Sequence, residues 1–238
     1  MDPRASRTAY TQGVEMGEDD GRTAVLLGAT GLVGGHCLEL LLADDAWTRV
    51  TVIARRPSGR THPKLRERVA AFDRLGEHAD AFAGDDVFCC LGTTIKTAGS
   101  QEAFRRVDHE YVVQSARLAR AQGARRFLLV SALGADPGSR VFYNRVKGEA
   151  ERDVSTQAFE GVALLRPSLL LGDRAEHRTG EKVAQAIGPV LSPLLIGPLR
   201  KYRAISARTV ARALLVLAKQ PVTGVRVVES HEIEALGH

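Results

Sequence analysis

Residues 23–35 read TAVLLGATGLVGG, an apolar run that breaks into glycines where a helical apolar pattern begins. A buried strand that turns through glycines into a helix N-terminus brings free backbone N–H groups and the positive end of the helix dipole to one point, which suits a pyrophosphate. The glycines are Gly28, Gly31 and Gly34, spaced GxxGxxG instead of GxGxxG, with Thr30, Leu32 and Val33 among them. These six residues are the first candidate contacts to a dinucleotide.

Working outward, short Val/Leu/Ile runs recur at 23–28, 50–54, 68–72, 86–91, 126–131, 162–166 and 225–229. Most are apolar throughout, the pattern of parallel strands covered on both faces. Between them, 32–43, 101–122, 143–158 and 206–219 carry helical periodicity, the last with Ser206 as its N-cap. The alternation predicts an α/β fold: a doubly wound, Rossmann-like parallel sheet of about seven strands with helices on both faces. Residues 1–21 read as a disordered polar tail and 22–238 as one nucleotide-binding domain. Within that domain, 172–205 breaks the rhythm with several Gly and Pro and reads either as a substrate-side cover or as irregular packing.

Composition narrows the function. Of 238 residues, 44% are hydrophobic and 26% charged, ordinary for a globular protein; aromatics at 5% leave the core to Ala, Val and Leu. The net charge of +5 is spread along the chain with no basic block interleaved with aromatics, so an anionic cofactor is a better partner than nucleic acid. Cys37, Cys89 and Cys90 cannot all pair and lack a CxxC or His cluster, which reads as reduced thiols and no metal. No stretch reaches the roughly 18 apolar residues of a membrane span, and the first 21 residues lack an apolar export segment, so the expected location is cytoplasmic.

In dinucleotide folds an acidic residue about 20 positions past the glycines holds the ribose and selects NAD. Here the second strand ends in VIARRP, with Arg55 and Arg56 at that place. Paired guanidiniums suit a 2′-phosphate, which favours NADP(H) over NAD(H). The fourth strand ends FCCLGTT, placing Leu91, Gly92 and Thr93 at the carboxyl edge where ligands gather.

The chemistry is carried by Ser131, Tyr143 and Lys147. Ser131 ends the fifth apolar run, and YNRVK sets Tyr143 and Lys147 at i and i+4 on one helix face. A phenol titrates near ~10 and is a poor acid or base at neutrality; a neighbouring ammonium favours its ionised form and makes proton transfer workable. Ser131 would hold a substrate carbonyl or hydroxyl, and Lys147 would also reach the nicotinamide ribose.

Through GATGLVG, the strand-terminal Ser131 and YNRVK, the chain resembles the short-chain dehydrogenase/reductase superfamily. FCCLGTT, RVDHEYV, YNRVKGEAE and LRPSLLLGDR are similar to its atypical branch typified by the Tat-interacting protein, over about residues 23–215. The resemblance implies a nucleotide across the strand carboxyl ends, Ser131, Tyr143 and Lys147 in the catalytic positions, and Arg166-Pro167 leading into a loop near the nicotinamide. One departure stands out: many relatives place an Asn of the proton relay where this chain has Asp108.

Two functions follow. One is an NADPH-dependent reductase or dehydrogenase acting on a small carbonyl or alcohol, with the apolar 186–199 segment pointing to a hydrophobic substrate or partner surface. The other is an NADPH-binding regulator of a protein partner with little turnover. The helices at 101–122 and 143–158 are candidate homodimer faces.

Overall fold

A computed structural model describes residues 21–171, 203–221 and 223–238. The polar tail and most of the 172–205 segment lie outside them. Seven parallel strands form one sheet in the order β3-β2-β1-β4-β5-β6-β9, and two short strands, β7 and β8, pair separately. The strands are β1 (Arg22–Leu27), β2 (Trp47–Ala54), β3 (Leu65–Val69), β4 (Asp86–Cys89), β5 (Arg126–Val130), β6 (Gly161–Arg166), β7 (Leu170–Leu171), β8 (Ile205–Ser206) and β9 (Gly224–Glu229). The order reverses direction between β1 and β4, which opens a crevice at their carboxyl ends.

The central runs are apolar because both faces are covered, whereas β9, at the edge, leaves Val225 and Val227 exposed. Leu26, Val52, Phe88, Leu128 and Leu165 face one side, in the same core as residues of α1 (Leu32–Ala43) and of a later helix, Ala207–Lys219. Their neighbours Val25, Leu27, Val87, Phe127 and Leu164 face the other side, toward the helices between β4 and β6. Ser206 caps the later helix, its hydroxyl accepting from the Thr209 N–H at 3.0 Å, as its sequence position predicts.

The third strand departs from expectation: it is LRERV at 65–69, not the run at 68–72. As an edge strand, β3 buries Leu65 and leaves Arg66, Glu67 and Val69 exposed, so it lacks the apolar signature of its neighbours. Of the run that suggested it, Val69 ends β3, and Phe72 instead opens the tight turns of Phe72–Phe82, from which Phe72, Leu75 and Phe82 enter the core.

Between β4 and β5 the chain forms α2 (Ile95–Ala98), α3 (Gln101–Arg105) and α4 (Tyr111–Ala121), with Arg106–Glu110 as a widened π turn joining the last two. α5 (Phe142–Ser155) follows β5. Gly148 lets the 136–137 backbone rest directly on α5; a Cβ there would meet the Asp136 carbonyl carbon and the Pro137 nitrogen at 2.3 Å each. The expected helix at 206–219 becomes α6 (Ala207–Lys219), and a short α7 (Ser230–Leu236), not foreseen from the sequence, closes the chain. Among the described residues no helix is long and apolar enough to cross a membrane.

Candidate active site

The glycine turn is built as its spacing suggests. Gly28 has φ of +81°, and a Cβ on it would meet the Cys90 carbonyl oxygen at 2.4 Å, so the β1 and β4 loops pass in close contact. A Cβ on Gly34 would meet the Gly28 carbonyl oxygen at 2.0 Å, which explains the third glycine. The Gly31 N–H donates to the Gly28 carbonyl at 2.9 Å, and Gly31 begins α1 with no side-chain cap. Thr30 and Gly31 are exposed and Leu32 is half-buried, whereas the Val33 side chain and Gly34 belong to the interior. The turn thus leaves Thr30 and Gly31 open at the surface and buries Val33 in the core. Its shape fits a dinucleotide pyrophosphate.

Arg55 and Arg56 follow β2 directly and are both exposed. Neither enters a hydrogen bond or ion pair with another described residue. Leu91 is buried, Gly92 is exposed, and the Thr93 N–H is already engaged, donating to Asp108 Oδ2 at 2.9 Å. Thr93 therefore faces the helix that follows it with its amide, not a ligand.

Ser131 follows β5, its N–H donating to the Leu165 carbonyl at 2.8 Å. Its side chain is buried, and Oγ has no hydrogen-bond partner among the described residues. A buried hydroxyl without a partner is uncommon and favours a ligand that supplies one. Tyr143 and Lys147 share a face of α5, and the Tyr143 ring packs on Phe104 with centroids 5.3 Å apart. Lys147 is buried beside Gly92 and forms an ion pair, Nζ to Asp108 Oδ1, of 2.8 Å. Burial would push the Lys147 ammonium down, but the Asp108 carboxylate, with Tyr143 behind it, holds it above the ordinary lysine range.

Asp108 lies in the widened turn and is almost wholly shielded from water. The sequence marked it as a departure from the relay Asn; its direct partnership with Lys147 was not foreseen. A π turn adds a residue to a helical turn and re-aims what it carries, often at functional sites. That irregularity has no clear composition signal.

The guanidinium of Arg166, an expected cofactor residue, is engaged within the fold. It is taken up by Glu151, at 3.0 Å from Nε and 2.6 Å from Nη2, and by Glu229 at 3.4 Å. Those carboxylates hold it above the ordinary arginine range, Glu151 being the main cause. The side chain ties α5 to β6 and β9 rather than facing the crevice with a free charge. Pro167 is buried, and its carbonyl accepts from the Leu133 N–H at 2.9 Å, which joins the loops after β5 and β6.

The cysteines are free. Burial pushes the Cys89 thiol up to about 12, and a hydrogen bond with Cys37 together with burial raises Cys90. No group of three or more metal-ligating side chains occurs among the described residues.

Residues 28–221 match a protein family described as NAD(P)H-binding. The chain is 37% identical to Protein HTATIP2 of Rattus norvegicus over 222 residues, spanning 91% of this chain and 89% of the relative. It is 33% identical to "Protein FMP52, mitochondrial" of Eremothecium gossypii over 221 residues, 90% of this chain and 96% of that one. Among solved structures it resembles MoeE5 in complex with UDP-glucose and NAD, at a TM-score of 0.66 and 17% identity, covering 90% of this chain and 80% of that chain. A short-chain dehydrogenase/reductase superfamily protein of Agrobacterium tumefaciens with bound NAD gives a TM-score of 0.63 at 17% identity, with 87% and 77% covered. The expected cytoplasmic location is overturned by these relatives, since the fungal ones, from Emericella nidulans to Aspergillus clavatus, are named mitochondrial.

Proposed function

The chain belongs to the NAD(P)H-binding family, and from that premise we propose that it is an NADPH-dependent oxidoreductase of the short-chain dehydrogenase/reductase type, acting on a small carbonyl or alcohol. The observation that carries this reading is the unpartnered, buried Ser131 Oγ at the same sheet edge as Tyr143, Lys147 and the open glycine turn. A purely structural hydroxyl in that place would be satisfied by the fold.

When bound, the nicotinamide supplies or accepts the hydride. Ser131 donates a hydrogen bond to the substrate oxygen and fixes its distance from Tyr143. Tyr143 gives its phenolic proton to that oxygen on reduction and takes it back on oxidation. Lys147, fixed by Asp108, presents its ammonium to the nicotinamide ribose and to the phenol. The glycine turn and the α1 N-terminus hold the pyrophosphate by backbone N–H groups. Arg55 and Arg56 would grip a 2′-phosphate; their exposure just after β2, without a partner among the described residues, supports NADPH over NADH. The names of the fungal relatives support a mitochondrial site of action.

The test is Tyr143→Phe in the full chain with a panel of aldehydes and ketones. NADPH oxidation should fall roughly 10²- to 10⁴-fold while NADPH affinity stays within a factor of about three. Full activity in this variant would refute the acid/base assignment. If the parent protein binds NADPH but reduces no carbonyl, the nucleotide-binding regulator is the better description.

A further inference from the structure

Asp108 occupies the place where three parts of the site meet. Its Oδ1 lies 2.8 Å from Lys147 Nζ, and its Oδ2 accepts from the Thr93 N–H at 2.9 Å. The ideal Cβ position on Gly92 falls 3.4 Å from Oδ1 and 3.7 Å from Lys147 Nζ, so the nucleotide-side loop is packed on the pair itself. The carboxylate is 1% exposed and the lysine 5%, so little solvent screens the interaction.

The charge balance around Lys147 is simple. Asp108 reaches it from the π turn, Tyr143 from its own helix and Cys89 from β4. One turn further along α5, Glu151 is matched by Arg166, itself also bound to Glu229. Burial keeps the Cys89 thiol neutral through the working pH range. Asp108 is therefore the carboxylate that matches the lysine charge. An isolated ammonium would favour ionisation of a nearby phenol, whereas one matched by a carboxylate in contact exerts a far weaker field. An amide at the same place would leave the ammonium unmatched.

We propose that Asp108 is a positioning residue that locks Lys147 and the Gly92–Thr93 turn into one unit and offsets the ammonium charge felt by Tyr143. The proposal rests on the oxidoreductase reading for its purpose, but its physical content is testable without turnover. Ultraviolet titration of phenolate formation in the full chain isolates Tyr143 when the same background carrying Tyr143→Phe is subtracted.

In Asp108→Asn, Tyr143 should ionise about one pH unit lower than in the parent, a tenfold rise in phenolate fraction at a fixed pH below the midpoint. In Lys147→Gln it should ionise at higher pH, and in the double variant it should return close to the parent. An unmoved or upward-shifted titration in Asp108→Asn overturns the proposal, since a merely structural pair would leave Tyr143 where it was. Should Asp108→Asn not fold, the comparison of Lys147→Gln with the double variant reads the same quantity, because neither leaves an unmatched lysine. There too, removal of the carboxylate should lower the ionisation pH, and no difference refutes the idea. Where carbonyl turnover is present, the corresponding limb of the kcat/KM profile should move with the titration. A shifted titration in a protein without turnover would overturn the oxidoreductase reading and leave the role of Asp108 standing. A moving titration with a fixed rate profile would refute the link between them.

Discussion

Asp86, at the first residue of β4, and Asp108, in the helical segment that follows the same strand, are both shut away from water. Their surroundings differ. Asp86 accepts from Trp47 Nε1 at 2.8 Å and Arg126 Nε at 2.7 Å, and also from Arg22, whose guanidinium lies 5.0 Å from the Trp47 ring centre. Arg22 in turn donates to the Ala218 carbonyl at 2.6 Å, which ties α6 to the same corner. Both carboxylate oxygens are saturated by groups from β1, β2 and β5. At the other end of the sheet, Asp108 holds one lysine and one backbone amide, and Ser131 Oγ beside that edge is left without a partner. The Asp86 carboxylate is spent on the fold; at the carboxyl edge the Ser131 hydroxyl is held in reserve.

The sharpest way to break this comparison is at Asp86. Asp86→Ala should cost about 3–5 kcal/mol in urea unfolding, because it strands buried cationic and indole donors together. A loss below about 1 kcal/mol would show that the corner is not the structural anchor its saturation suggests. At the opposite edge, Arg55→Ala with Arg56→Ala should weaken NADPH binding roughly 10- to 100-fold, with NADH binding and thermal stability nearly unchanged. Equal loss for both nucleotides by calorimetry would remove the 2′-phosphate assignment. Smallest in stability is Ser131→Ala, expected within about 0.5 kcal/mol of the parent, since it deletes a hydroxyl that bonds to no described residue. Carbonyl reduction should nevertheless fall at least tenfold. A large destabilisation would mean that the fold, not a substrate, uses that hydroxyl.

The legible parts of the molecule were those governed by periodicity. Central strands covered on both faces read as unbroken apolar runs, and Ser206 read as a cap. β3 did not, because an edge strand with Arg66 and Glu67 turned to solvent looks like a loop. In the site, Gly28 and Gly34 could be read from the turn because sterics leave no other residue there. The ion pairs of Arg166 were illegible for the opposite reason: nothing local in LRPS reveals that Glu151 and Glu229 claim its guanidinium. Asp108 was seen as a substitution but not as a partner of Lys147, since a change of helical pitch leaves no periodic trace.

That change of pitch, at Arg106–Glu110, gives the protein a discrete way to alter its chemistry. Each residue of an ordinary helix advances the azimuth by roughly 100°, so loss of a single codon within the turn would restore regular winding and swing the carboxylate away from the lysine. A one-residue indel is thus a second mutational step, beside Asp108→Asn, by which a descendant of this chain would exchange a matched ammonium for a bare one.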